Sequence, residues 1–215
     1  MKDVSMRKIQ VIDLSIGNIS SIRNMFLKIG CEVGVISKPE ENSHDSLLIL
    51  AGVGAFDSGV THLQNSGWFD EIKSAAVNGQ HILGICLGMQ LLCAGSAEGG
   101  LSGLNLIPGH FSHLRDAREG IDLKVPHMGW NHVTVNDGTK HLKQLIGEDA
   151  LRFYFVHSFE YQHSTSEFVI GNANYKGNVV AMIEKNNVMG VQFHPEKSHR
   201  YGMKFLSAYL ESISA

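Results

Sequence analysis

The chain has 215 residues, 43% hydrophobic and 18% charged, which suits one large globular domain with a well-buried core. A net charge of −3 with histidines neutral offers no bulk basic surface for nucleic acid, and the apolar stretches are strand-sized, too short to span a bilayer. Met1 to Lys8 is charged and lacks the apolar core of a signal peptide, so a cytoplasmic location is the default expectation.

Taken in chain order, Lys8 to Asp13 predicts a first buried strand, and Asn18 or Ser20 can cap the helix that follows. That helix carries Ile22, Met25, Phe26 and Ile29 on its apolar face and stops at Gly30. Cys31 to Ile36 predicts a second strand and Leu47 to Leu50 a third, followed by the glycine-rich run Ala51-Gly52-Val53-Gly54-Ala55-Phe56. A helical region passes through Leu63, Trp68 and Ile72, and His81 to Ile85 predicts a fourth strand. Strand and helix alternate throughout this half, which predicts a mostly parallel central sheet with helices on both faces. In such sheets, sites collect where strands end, so the loops after Asp13, Leu50 and Ile85 are the places to look.

The second half predicts closely spaced strands, as in hairpins, at Phe111 to Leu114, His132 to Val135 and Leu151 to His157. Others fall at Phe168 to Asn174, Val179 to Glu184 and Val188 to Phe193. Asn186-Asn187 is a turn between the last two. A final helix is predicted from Tyr201 to Ile213, with Phe205, Leu206, Tyr209 and Leu210 inward. No linker or repeat divides the chain, so one domain is expected.

Three cysteines, Cys31, Cys86 and Cys93, argue against a disulfide framework, and the twelve histidines show no zinc spacing. No metal or cofactor is expected. One cysteine has a distinctive setting. Gly84-Ile85-Cys86-Leu87-Gly88 lies between a predicted strand and a predicted helix, the context of a nucleophile elbow. There a helix N-terminus favours a thiolate and an oxyanion. A buried structural cysteine beside two packing glycines also fits those five residues. Gln192-Phe193-His194-Pro195-Glu196 ends the last predicted strand, offering a base in His194 and an orienting carboxylate in Glu196. A loop histidine with a solvated glutamate fits equally. Gly52-Val53-Gly54 can aim backbone N–H groups at a developing oxyanion, or simply make a turn.

Joined, these pieces resemble the class I glutamine amidotransferases. Gly-x-Cys-x-Gly-x-Gln is matched from Gly84 to Gln90, and His-Pro-Glu at His194, Pro195 and Glu196. Within that family the chain is most similar to the glutaminase subunits of imidazole glycerol phosphate synthase. The similarity rests on Gly17-Asn18, Gly52 to Phe56, Gly84 to Leu91, Pro126-His127-Met128-Gly129-Trp130-Asn131, Tyr154 to Phe159 and Gly190 to Ser198. The resemblance implies a flavodoxin-like α/β fold with an antiparallel C-terminal portion, over residues 8–215, preceded by an extension at 1–7. It implies glutamine as substrate, with Cys86 as nucleophile, His194 as base and Glu196 orienting it. Val53, Gly54 and Leu87 would form the oxyanion hole, and Gly52, Gln90, His157 and Ser158 would bind the substrate. The implied partner is a (β/α)-barrel cyclase subunit that receives the ammonia for histidine biosynthesis, met by Asn18, Met128, Trp130, Asn131 and Lys197. The alternative partner is a sugar amidotransferase of surface-polysaccharide biosynthesis. Neither reading involves nucleic acid or membrane. Two positions depart from the family pattern, Leu14-Ser15 in place of Tyr-Gly and Ala51 in place of proline.

Three other classes compete. An α/β-hydrolase needs its acid before its histidine, whereas Glu196 follows His194. A redox sensor built on Cys86 has no use for His-Pro-Glu, and a binding subunit without activity has no use for an intact catalytic trio.

Overall fold

The computed structural model describes residues 8–14, 19–118, 120–136 and 151–213. Strands β1 (Lys8–Ile12), β2 (Glu32–Ile36), β3 (Leu47–Gly52) and β4 (Ile82–Cys86) alternate with helices α1 (Ile19–Lys28), α2 (Phe56–Asn65) and α3 (Trp68–Val77). A short helix α4 (Leu87–Leu91) follows β4 directly. The strands β5 (Gly95–Ser96), β6 (His110–His113), β7 (His127–Val135), β8 (Arg152–His157) and β9 (Phe159–Gln162) come next. Strands β10 (Val169–Asn174), β11 (Asn178–Lys185) and β12 (Val188–Val191) precede the last helix, α5 (His199–Ser212).

Nine strands form one sheet in the order β2-β1-β3-β4-β12-β11-β10-β7-β8. The block β2-β1-β3-β4-β12 is parallel, and from β12 onward each neighbour is antiparallel. Strands β5, β6 and β9 make a separate three-stranded sheet. Side-chain alternation along the central strands feeds two cores. Ile9, Val11, Leu47, Ile49, Leu83 and Ile85 face α1 and α5, meeting Ile22, Phe26, Phe205 and Tyr209. Ile12, Leu48, Leu50 and Ile82 face the other way, onto Phe56, Val60, Leu63, Trp68 and Ile72 of α2 and α3. Strands β3 and β4 are buried along their whole lengths, as expected for central strands covered on both faces.

Several boundaries differ from the expectation. Ser20 lies inside α1, so it is not a cap, and Asn18 lies outside the described residues. The single helical region is two helices, broken at Gly67 with φ +79°. Strand β3 continues through Ala51 and Gly52, which pair with Ile85 and Cys86. An alanine carries the N–H that a proline lacks, so nothing at residue 51 stops the ladder. Strand β7 begins five residues earlier than predicted, taking in most of the Pro126–Asn131 motif. Leu14, which departs from the family pattern, is buried in the core that holds Ile12, Ile36 and Leu50, and Ser15 lies outside the described residues. No described helix is long and apolar enough to cross a membrane.

This topology positions the site. Strand β4 lies between β3 and β12, all three parallel, so their C-terminal ends come out side by side. Cys86, Gly52 and the Gln192–His194 segment are thereby neighbours, although the motifs are far apart in the chain.

Candidate active site

Cys86 is the last residue of β4 and immediately precedes α4, with φ +54° and ψ −107°. A non-glycine residue there carries strain of about 1–3 kcal/mol, tolerated when the surroundings enforce it. The flanking glycines do the enforcing by their missing side chains. A Cβ on Gly88 would lie 1.8 Å from the Leu50 carbonyl oxygen, and one on Gly84 2.6 Å from Leu92 Cδ1 and 2.8 Å from the Gly88 backbone. Neither glycine has positive φ; the strain sits on Cys86 itself. The elbow glycines thus permit close approach of helix to sheet rather than the turn. Gly202 serves α5 similarly, since a Cβ there would meet the Pro195 carbonyl oxygen at 1.9 Å.

His194 emerges beyond β12. Its N–H donates to the Tyr154 carbonyl at 2.9 Å, and its carbonyl accepts from Ser198 Oγ at 2.6 Å. The ring is held in turn. Nδ1 lies 2.7 Å from Glu196 Oε1, with the His194 and Glu196 side chains only 2% and 5% exposed. Nε2 is buried and makes no hydrogen bond among the described residues. Burial alone would push the imidazole pKa down. Interaction with Cys86 and with Glu196, both of which favour the imidazolium, overcomes it and raises the pKa to about 9. Glu196 Oε2 makes no hydrogen bond among the described residues. The Cys86 sulfur also lies 3.8 Å from Gln192 Nε2 and 3.9 Å from the Val156 carbonyl. Cys31 and Cys93 are core residues. Burial pushes the Cys93 thiol pKa far up, and its sulfur rests against the Met89 carbonyl at 3.6 Å.

Cys86 opens onto a pocket of about 320 Å³. Its wall includes Val53, Gly54, Leu87, Gln90, His157 and Ser158, all singled out from sequence, together with Glu98 and Phe159, which were not. Gly54 has φ +122°, so a side chain there would be strained. Gln90 follows Cys86 by one helical turn, and its Oε1 is buried without a hydrogen bond among the described residues. Gly52 is different. As the pairing partner of Cys86 it lines a small cavity behind the nucleophile with Ile22, Val53, His194 and Glu196. Both ring nitrogens of His157 are occupied, by the Phe159 carbonyl and by His127, so only its backbone is free to face the pocket. Glu98 belongs to a reciprocal clamp. It accepts the Phe56 N–H at 2.9 Å, while Asp57 accepts the N–H groups of Gly100 and Leu101 at 2.9 and 3.0 Å. Its only sequence signal is an acid in a glycine-flanked loop just beyond the elbow.

The residues expected at a partner interface divide. Met128 is 60% exposed and Trp130 39%, facing solvent beside Val156 and Tyr154 of β8. Lys197 is exposed over the Tyr154 ring, Arg152 over Trp130, and His199 stacks on Trp130 at 5.9 Å. Asn131 instead turns inward, donating to the Asn174 carbonyl at 2.7 Å.

Comparison with known proteins decides the family. The model of the class-I glutamine amidotransferases matches residues 10–210. The chain belongs to that family. It is 39% identical to imidazole glycerol phosphate synthase subunit HisH 2 of Methanococcus maripaludis, covering 94% of this chain and 98% of that one. It is 37% identical to subunit HisH of Geobacter metallireducens, over 95% and 98% of the two chains. With subunit HisH of Listeria monocytogenes it shares 40% identity over 94% and 95%. Among solved structures, a glutamine amidotransferase superposes with TM-score 0.73 at 16% identity, covering 96% of this chain and 99% of that one. PurLQS of Thermotoga maritima gives 0.69 at 20%, over 96% and 99%. At those identities the likeness concerns the fold, which is that of the amidotransferases. The cysteine elbow and the distal histidine–glutamate pair therefore lie in an enzyme domain of this family, and the sensor and hydrolase readings fall away.

Proposed function

We propose that this chain is the glutaminase subunit of an imidazole glycerol phosphate synthase, hydrolysing glutamine and passing ammonia to a cyclase subunit. The observation that carries the chemistry is a strained, pocket-facing Cys86 at the end of β4 beside the segment that carries His194, an imidazole that Glu196 holds at 2.7 Å. Cys86 attacks the side-chain amide carbon of glutamine, and the thiol proton resides on His194. The oxyanion is met by backbone N–H groups of Leu87 and the Val53–Gly54 turn. His194, charged at neutral pH with a pKa of about 9, protonates the departing ammonia. The thioester is then hydrolysed by water that His194 activates, releasing glutamate. Glu98 and the buried Gln90 Oε1 offer acceptors to the substrate ammonium, and the His157–Ser158 backbone faces its carboxylate end.

The histidine-pathway assignment is supported by the synthase names of relatives at 37–40% identity over nearly full lengths. It is preferred to a sugar-modifying partner on that ground. Ammonia in water becomes ammonium and is lost as a nucleophile, so the cyclase docks over the site. Met128, Trp130 and Lys197 provide its exposed seat; Asn18, expected to take part, lies outside the described residues. The family match over residues 10–210 supports one amidotransferase domain, which we take to span 8–215 with 1–7 as an extension and to act in the cytoplasm.

The test is glutamate release from glutamine by the chain alone, then with a cyclase subunit and its ribonucleotide ligand, with Cys86→Ala alongside. Large stimulation that Cys86→Ala abolishes is the expected outcome. Glutamine-selective labelling of Cys86 without stimulation moves the partner elsewhere, and neither activity nor labelling sinks the catalytic reading.

A further inference from the structure

One buried hydrogen-bond chain has no place in the chemistry above, yet ends at the substrate pocket. His127 opens β7 directly opposite His157, the last residue of β8. His127 Nδ1 lies 2.9 Å from His157 Nε2, and His157 Nδ1 lies 2.7 Å from the Phe159 carbonyl. At the other end, Asn131 Nδ2 lies 3.3 Å from His127 Nε2. Asn131 is four residues along the same strand, and Gly129, with φ +128°, lies between the two. The His127 ring is sandwiched by Phe155 at 4.7 Å and Tyr175 at 4.0 Å.

The proton order along this chain has one solution. A carbonyl only accepts, so His157 Nδ1 carries the proton and its Nε2 accepts. His127 Nδ1 therefore donates, and its Nε2 accepts from the Asn131 amide. That amide cannot flip, because Asn131 Oδ1 accepts the His132 N–H at 2.8 Å and Nδ2 also donates to Asn174. Both imidazoles are neutral. Burial, then the Arg118 charge, lowers His127 to about 4. Burial first, and then the His194 charge, lowers His157 to about 3 against the Phe159 bond. Among the described residues, Arg118, Tyr175 and His194 are titratable groups that face the pair.

The wall thus secured is functional. Val156, whose carbonyl lies 3.9 Å from the Cys86 sulfur, and His157, Ser158 and Phe159 all line the pocket. We propose that the Asn131–His127–His157 chain is a positioning device for the glutamine site, one that locks the Val156–Phe159 wall in a single register against Cys86. His127 and Asn131 touch no substrate; they act through His157. This rests on the glutaminase reading.

The test uses the full chain with its cyclase partner and two variants. His127→Phe keeps the ring sandwich and removes the donor; His127→Asn keeps a donor where Nδ1 sits and removes the sandwich. Removing the donor leaves a buried acceptor unpaired, so KM for glutamine rises about tenfold in His127→Phe while kcat changes less. Labelling of Cys86 by a glutamine-like chloroketone slows in parallel, alkylation by iodoacetamide does not, and His127→Asn recovers most of the loss. Wild-type KM in His127→Phe, or equal losses in both variants, overturns the proposal. If His127→Phe does not fold, by near-ultraviolet circular dichroism, Asn131→Leu decides the same way, since it unpairs His127 Nε2 from the other end. An unchanged KM there also overturns it. Wild-type protein that shows no preference for the chloroketone over iodoacetamide sinks the glutaminase reading itself, a separate outcome.

Discussion

Replacing Glu196 by glutamine removes a charge and almost nothing else. The side chain is 5% exposed, its Oε1 is 2.7 Å from His194 Nδ1, and an amide oxygen in the same place still accepts that hydrogen bond. A hydrogen bond to a charged group contributes about 1.5–3 kcal/mol and a neutral one about 0.5–1.5, a difference of about one pKa unit. The imidazolium of wild type persists to about pH 9. Its pKa is raised in the folded protein, so its stabilising contribution is whole below the unfolded value near 6.5 and is lost as pH rises through 9. In Glu196→Gln that loss comes about one unit earlier. Two assays read it. The pH profile of Cys86 alkylation by iodoacetamide reports the proton shared by the pair, and its alkaline bend moves down by about one unit. Glutamate release in the partner complex falls about 10- to 100-fold at neutral pH. Glu196→Ala, which also frees the ring, approaches the 10²–10⁴ that acid–base catalysis supplies. An alkylation profile superposable on wild type, with full activity, would refute the role of Glu196 in setting the state of His194.

Gly88→Ala places a methyl 1.8 Å from the carbonyl of Leu50 in a central strand, and backbone there cannot retreat. Thermal unfolding is expected to show a loss of at least about 1–3 kcal/mol. Glutaminase activity falls with it, because the elbow must shift, whereas Gly34→Ala, with open space around it, stays within about 0.5 kcal/mol. Arg118→Ala strips the partner, 2.8 Å away, from Glu160, whose side chain is 4% exposed and whose pKa burial already raises. Denaturant titration should show a loss of about 3–5 kcal/mol, with Arg118→Met/Glu160→Gln recovering much of it; an intact Arg118→Ala contradicts the argument. His127 and His157 are held to about 4 and about 3 in the folded chain, so the unfolded chain takes up their protons first as pH falls below 6.5. Their stability is whole above 6.5 and declines toward pH 4, with a slope of up to about 2.7 kcal/mol per pH unit for two groups. Urea midpoints at pH 7 and 5 measure it, and a flat profile would count against two neutral buried rings.

The parallel half of the fold was legible because its signals are local. Leu47 to Leu50 and His81 to Ile85 are apolar runs with glycine-rich exits, and a strand needs little more to be seen. What was misplaced has equally specific causes. The break between α2 and α3 hangs on Gly67, whose left-handed backbone is invisible to a 3.6-residue period. The early start of β7 was masked because its apolar residues change sides, from Met128 and Trp130 to Val133 and Val135, so no single alternating pattern runs along it. Strands β5 and β9 were missed because Gly95–Ser96 is two residues long and Phe159–Gln162 runs on from β8 almost without a break.

The site divides along the same line, and the division has a reason. The chemistry of Cys86, His194 and Glu196 follows from residue type and short spacing, since here the elbow is five consecutive residues and the carboxylate lies two residues beyond the base. What fixes the pocket wall does not. His127 meets His157 only because β7 and β8 are paired in one register, and Asn131 reaches His127 across Gly129, whose φ is +128°. Glu98 reaches the pocket through a clamp with the first turn of α2, across 42 residues of chain. Read alone, each of these residues is an ordinary polar side chain. A one-residue slip of β7 on β8 would break the His127–His157 contact and leave buried ring nitrogens unpaired, so the chain that steadies the pocket also selects the register. Fold specificity and substrate geometry are therefore secured by the same four hydrogen bonds, from Asn174 through Asn131, His127 and His157 to Phe159.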